Sequence, residues 1–148
     1  MFEKDPYVSF SNCSLPYHLS GVVEDSNSLV LMTPEQFKAQ YNIEARVNNE
    51  VIAIDRTKKE VTVKNTLTGE EYSENYDKLI LSPGATPIVP KIKGIENVNI
   101  FTVRNVMDIE RLSEKLKNKK VEIYLLLEEV YRVEVAENLK KQEQCYFN

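Results

Sequence analysis

With 148 residues, the chain has room for one ordinary domain and can bury enough apolar surface to fold without disulfides or metals. Its make-up, 42% hydrophobic and 28% charged, is that of a globular protein and not of a disordered one. A net charge of −4, with Lys and Glu interspersed, leaves no basic field of the kind that nucleic acid or an acidic membrane attracts.

No apolar run approaches the roughly 20 residues of a membrane span. The start, Met1-Phe2-Glu3-Lys4-Asp5, has no apolar signal core, so a cytoplasmic protein is expected. Cys13 and Cys145 form no CxxC or zinc spacing, and no other metal-ligand set is present. Free thiols are therefore expected. Four glycines, Gly21, Gly69, Gly84 and Gly94, are few against an average usage of about 7%.

Along the chain, Phe2-Glu3 reads as the stub of a strand and Val8 to Asn12 as a loop. Ser11 or Asn12 caps a short helix over Cys13 to about Leu19, with Pro16 in its first turn and Ser20-Gly21 as the stop. A better marked helix begins at Thr33-Pro34-Glu35-Gln36, where Thr33 caps and Gln36 closes a capping box. Phe37 and Tyr41 share one face of it.

From Ile43 the period changes to two: Ile43 to Val47, Val51 to Ile54 and Val61 to Val63 alternate. With turns at Lys58-Lys59 and Thr68-Gly69, Glu50 to Tyr72 is expected to be a three-stranded antiparallel meander. Leu79-Ile80-Leu81 reads as a short buried strand ending at Ser82-Pro83-Gly84, and Thr86 to Gly94 as a connector. Asn99 to Thr102 reads as another strand. Asn105 then caps an amphipathic helix with Val106, Ile109, Leu112 and Leu116 on one face. Val121 to Leu127 reads as an apolar strand and Glu128 to Lys141 as a helix. The order of elements predicts an α/β class with a three-stranded β insert.

Cys13 is the first candidate for chemistry. A thiol in the first turn of a helix faces unpaired backbone N–H groups and the positive end of the helix dipole, which favour the nucleophilic thiolate. A small residue packed under a helix start accounts for the same spacing equally well. His18 lies five positions on, off the helical face of Cys13, so it reads as a structural or surface residue. Glu70-Glu71 and Glu128-Glu129 read as solvated charges.

The blocks Phe2-Glu3-Lys4, Ser9-Phe10-Ser11-Asn12-Cys13-Ser14-Leu15-Pro16-Tyr17 and Ser82-Pro83-Gly84-Ala85, in that order over residues 1 to about 121, resemble the pyridine nucleotide-disulfide oxidoreductases. The resemblance is to their coenzyme A-disulfide reductase branch, single-cysteine flavoenzymes that use NAD(P)H to reduce coenzyme A disulfide or related persulfides. It implies a partial FAD/NAD(P)-binding, Rossmann-like fold. Residues 1–104 would be a partial FAD-binding domain, with the meander at about 49–74, and 105–148 the start of a degenerate NAD(P)-binding domain.

Residue by residue, the resemblance makes Cys13 the redox thiol, which attacks a disulfide sulfur, forms a mixed disulfide with coenzyme A and is reduced by flavin. Glu3 would accept from the ribose hydroxyls of FAD, and Val51 would meet the adenine through its backbone. Ser82, Pro83, Gly84 and Ala85 would form the turn beside the cofactor. Ser9 and Asn12 match positions that contact coenzyme A, while Tyr41 stands where the family commonly has a basic residue.

Two departures stand beside these matches. The family's first strand and glycine-rich turn precede the Phe-Glu-Lys block, where this sequence has only Met1. The second fingerprint aligns its glycines with Leu127, Glu129 and Arg132. A chain short of both fingerprints and of the family's C-terminal dimerisation domain is expected to be a partial copy. The alternative expectation is a non-catalytic α/β remnant or interaction module that keeps a redox-reactive Cys13.

Overall fold

The computed structural model describes residues 1–97 and 99–118, with residues 135 and 137. Its elements in chain order are β1 (Ser9–Phe10), α1 (Leu15–Leu19), β2 (Val30–Met32), α2 (Pro34–Tyr41), β3 (Asn49–Asp55), β4 (Glu60–Asn65), β5 (Glu71–Asn75) and α3 (Val106–Asn118). Two compact units result, Met1–Phe10 with Leu31–Gly84, and Ser11–Val30 with Ala85–Asn148.

In the first unit the expected meander is present, with strands in the order β3-β4-β5, all antiparallel. Alternation explains why β4 is the centre. Val61 and Val63 point to one face and are buried, while Thr62 between them and Lys64 after them are half-exposed. Burying each valine contributes about 1.5–3 kcal/mol relative to leaving it in water. The β3–β4 turn is set by Asp55, whose Oδ1 accepts the N–H groups of Thr57 and Lys58 at 2.9 Å each. The register of β3 on β4 slips between Val51 and Ala53.

The strand stub at Phe2-Glu3 finds its partner in the alternating stretch after Ile43. Phe2 bridges Arg46 in parallel sense; Glu3 N–H donates to the Arg46 carbonyl at 3.0 Å, and Arg46 N–H to that of Met1 at 2.9 Å. α2 begins as its sequence requires. Thr33 Oγ1 accepts from Gln36 N–H, and Gln36 Oε1 accepts from Thr33 N–H at 2.7 Å. Asn42, left-handed at φ 54°, ends it.

The second unit is built on helix packing. Leu15 and Leu19 of α1 are i, i+4 neighbours and fully buried, as are Val106 and Ile109 of α3, with Leu112 and Leu116 continuing that face. α1 packs on α3, and Leu29, from a 3-10 turn at Ser26–Leu29, is buried as well. Asn105 caps α3 as expected, its Oδ1 accepting from Asp108 N–H at 2.9 Å.

Four local expectations are corrected. Leu79-Ile80-Leu81 is neither a strand nor buried: Ile80 is 89% exposed, and no backbone partner lies beside it among the described residues. An apolar run becomes a strand only where another backbone completes its ladder. Asn99 to Thr102 forms no strand either, because Ile100 N–H closes a turn onto the Asn97 carbonyl. The loop expected over Val8 to Asn12 contains β1, which pairs with β2. The helix expected from Cys13 is a 3-10 turn at Asn12–Ser14 followed by the five residues of α1. Of the helix expected over Glu128 to Lys141 only Val135 and Glu137 are described; both are helical, with Val135 buried and Glu137 exposed. The strand expected at Val121 to Leu127 and the fingerprint positions Leu127, Glu129 and Arg132 lie outside the described residues, as does Cys145.

Candidate functional site

Cys13 sits in the middle of the Asn12–Ser14 turn and is exposed. The reading of this thiol as a core residue therefore falls; the buried anchors are Leu15, Pro16 and Leu19, which follow it. They hold α1 down on α3 and leave the turn ahead of it at the surface. With α1 only five residues long, the macrodipole argument made for Cys13 weakens, because a short helix aligns few peptide dipoles.

What orders the turn is a set of hydrogen bonds instead. Ser11 makes no side-chain cap; its hydroxyl lies 2.7 Å from that of Ser14, and its N–H donates to the Leu29 carbonyl at 2.8 Å. Arg104 Nη1 donates to Asn12 Oδ1 at 2.9 Å, across 92 positions of sequence. Arg104 is itself anchored, since its N–H donates to Asp108 Oδ2 at 2.9 Å. Asp108 is buried, and its carboxylate also accepts from Thr102 Oγ1 at 3.3 Å and Arg111 Nη2 at 2.6 Å. His18 does not approach the thiol's role: its Nδ1 lies 2.6 Å from the Val23 carbonyl and ties down the segment after α1.

Ser9 belongs to the first unit, half-buried in β1, while Asn12 and Cys13 belong to the second and are exposed. Tyr41 is 52% exposed and leans on Phe37, with ring centroids 5.8 Å apart.

Of the other expected residues, Glu3 and Val51 are tied to neighbouring backbone in the first unit. The Glu3 carbonyl accepts from Asn49 N–H at 2.9 Å, which ties Glu3 to the first residue of β3, two positions ahead of Val51. Glu3 Oε1 accepts from Asp5 N–H at 3.0 Å, which aims the carboxylate; Oε2 has no partner among the described residues. A carboxylate so held can take two hydroxyl donors. Val51 lies on an outer strand of the meander, where alternate backbone groups face away from β4, and the register slip beside it frees backbone further. Ser82, Pro83, Gly84 and Ala85 are all exposed. Gly84 has φ +70°, which a side chain would strain, and nothing of the protein lies within 4 Å of the place its Cβ would take. An aimed carboxylate that accepts, an outer strand and an open glycine turn fit the acceptor and the backbone approach that a dinucleotide requires.

Sequence reasoning missed two cations. Arg46 is held between Glu44, at 2.7 Å, and Glu74, and lies over the Phe2 ring at 5.6 Å. The Glu44 bond, then Glu74 and Tyr72, push its pKa up. Arg104 is the other, and no local spacing points to it. Two hollows of about 190 Å³ each, one beside Phe2 and Arg46 and one beside Phe101 and Asp108, are lined by none of the expected site residues. Among the described residues no His, Cys, Asp and Glu cluster suits a metal ion, and no helix is long and apolar enough to cross a membrane.

Comparison with known proteins gives these residues a context. The family model for pyridine nucleotide-disulphide oxidoreductases matches residues 1–124. Coenzyme A disulfide reductase of Staphylococcus aureus (strain JH9) is 41% identical over 140 residues, 94% of this chain and 31% of that protein. The chain thus spans about a third of the length of the curated relatives it matches. The crystal structure of reduced Bacillus anthracis CoADR-RHD superposes with a TM-score of 0.90 at 42% identity, covering 96% of this chain and 26% of that one. An NAD-dependent persulfide reductase from A. fulgidus gives a TM-score of 0.88 at 29% identity, covering 97% and 26%. The fold is accordingly the α/β, Rossmann-like FAD/NAD(P)-binding architecture with an inserted three-stranded meander.

Proposed function

The chain belongs to the pyridine nucleotide-disulphide oxidoreductase family, and from that premise we propose that it carries the thiol–disulfide step of a coenzyme A-disulfide reductase-like reaction at Cys13. The observation that carries the proposal is the exposed Cys13, in a turn ordered from both sides, within the region the family shares. In the step, the Cys13 thiolate attacks one sulfur of a low-molecular-weight disulfide. The Sγ–S bond forms as the substrate S–S bond breaks, and the second half leaves as a thiolate. Coenzyme A disulfide is the substrate named by the relatives; a persulfide is the variant suggested by the A. fulgidus protein.

Return of Cys13 to the thiol requires two electrons. FAD supplies these when bound, with NAD(P)H as the external reductant. Glu3 would hold the ribose hydroxyls through its carboxylate, Val51 would present backbone to the adenine, and Ser82 to Ala85 would let the dinucleotide lie against the chain at Gly84. Ser9 and Asn12 match positions that contact coenzyme A in the family, and each would take part in holding the substrate. A thiol that must cycle fits a reducing, cytoplasmic compartment.

The test separates the steps. Purified protein is treated with coenzyme A disulfide and analysed by intact mass. The expected result is one coenzyme A adduct, lost in Cys13→Ser. FAD binding is followed in parallel by flavin fluorescence quenching, and NAD(P)H oxidation by absorbance. An adduct without FAD binding or NAD(P)H oxidation would favour a redox-reactive module over a reductase. The absence of any adduct at Cys13 would sink the proposal.

A further inference from the structure

Arg104 is placed beside the thiol turn by the same bonds that order the start of α3. The buried Asp108 carboxylate fixes the Arg104 backbone, and the Arg104 side chain then reaches Asn12, the residue before Cys13. A guanidinium has five N–H donors in a planar fork. One is given to Asn12 Oδ1, and the rest take no partner among the described residues. The side chain is half-buried, its bond to Asn12 places the guanidinium one residue from the exposed thiol, and donors remain there for an incoming group.

The charge balance sharpens the point. With a net charge of −4, the chain as a whole repels an anion. A disulfide bearing carboxylate or phosphate groups needs a local cation at the thiol to offset that field.

We propose that Arg104 is a specificity-determining residue that aims Asn12 and selects anionic disulfides for attack by Cys13. The inference rests on the reading of Cys13 as the attacking thiol. The step itself is the same exchange: the Cys13 Sγ–S bond forms, the substrate S–S bond breaks, and the departing thiolate is protonated by water or remains anionic.

The experiment uses the full chain with Cys145→Ser, so that Cys13 is the sole thiol. Second-order rate constants are measured with dithiobis(nitrobenzoate), a dianion, and with dipyridyl disulfide, which is uncharged. The readout is the ratio of the two rates. Arg104→Gln is expected to lower that ratio about tenfold, the loss typical of a charge-assisted hydrogen bond. Arg104→Lys should keep more of it, and Asn12→Ala, which frees the cation from its tether, should fall between. Added salt should narrow the difference between the parent and Arg104→Gln toward the anionic reagent and leave that toward the uncharged one unchanged. If Arg104→Gln does not fold, the Lys and Asn12 variants with the salt series carry the same test. An unchanged ratio, with both rates falling together or neither changing, overturns the inference. A Cys13 inert to both reagents in the parent overturns the reading of Cys13 itself, a result distinct from the first.

Discussion

Asp55 shows how much one carboxylate can decide. Its Oδ1 takes both turn N–H groups between β3 and β4. The Lys58 amide bond, opposed by desolvation and helped by the Thr57 amide, holds its carboxyl below the ordinary value. A carboxyl depressed on folding contributes stability above its unfolded pKa of about 3.9, and loses it as pH falls through the folded value. Asp55→Asn keeps the turn's acceptor and removes the charge. We expect its denaturant midpoint to vary less than the parent's below about pH 4, and parallel curves would show that Asp55 does not couple to folding. That turn was legible, since Lys58-Lys59 lies between alternating runs. Arg104 was not, because 92 residues separate it from Asn12 and only packing of α1 on α3 brings them together.

At the level of elements, helices with complete local signals form where those signals stand. Thr33, Pro34 and Gln36 start α2, and Asn105 with the apolar face of Val106 and Ile109 defines α3. Their hydrogen bonds close within a few residues, so local sequence suffices. Ile109 is fully buried against α1's unit, and Ile109→Ala is expected to cost about 2–5 kcal/mol through lost burial and the cavity left. Urea melts of the two proteins measure it, and a change under about 0.5 kcal/mol, the range of surface substitutions, would mean that this face is not the core. Strands behaved differently. The meander was legible because tight turns bring its three runs together, whereas Leu79 to Leu81 has the composition of a strand and no neighbour. β1 escaped notice because two residues carry no period.

Over the whole molecule, order should follow burial and hydrogen bonding. In the first unit, Val61 and Val63 lie in the central strand, and their amides should exchange slowest there. Leu79 to Leu81 should exchange within the first time points, as should Ile88 and Val89 of the second unit, since none is in a ladder or helix. Hydrogen exchange read by mass spectrometry tests this, and equal protection in the two sets would contradict the fold described. The sequence by itself determined the α/β class, the meander, the two capped helices and the block around Cys13, because each rests on contacts between near neighbours or on an ordered run of residue types. Only the tertiary structure decided that Cys13 is exposed, that its turn is 3-10, that Leu79 to Leu81 lies open and that Arg104 stands beside Asn12. Those outcomes depend on which distant backbone or side chain arrives to complete a ladder, cover an apolar face or accept a hydrogen bond, and no local pattern encodes that.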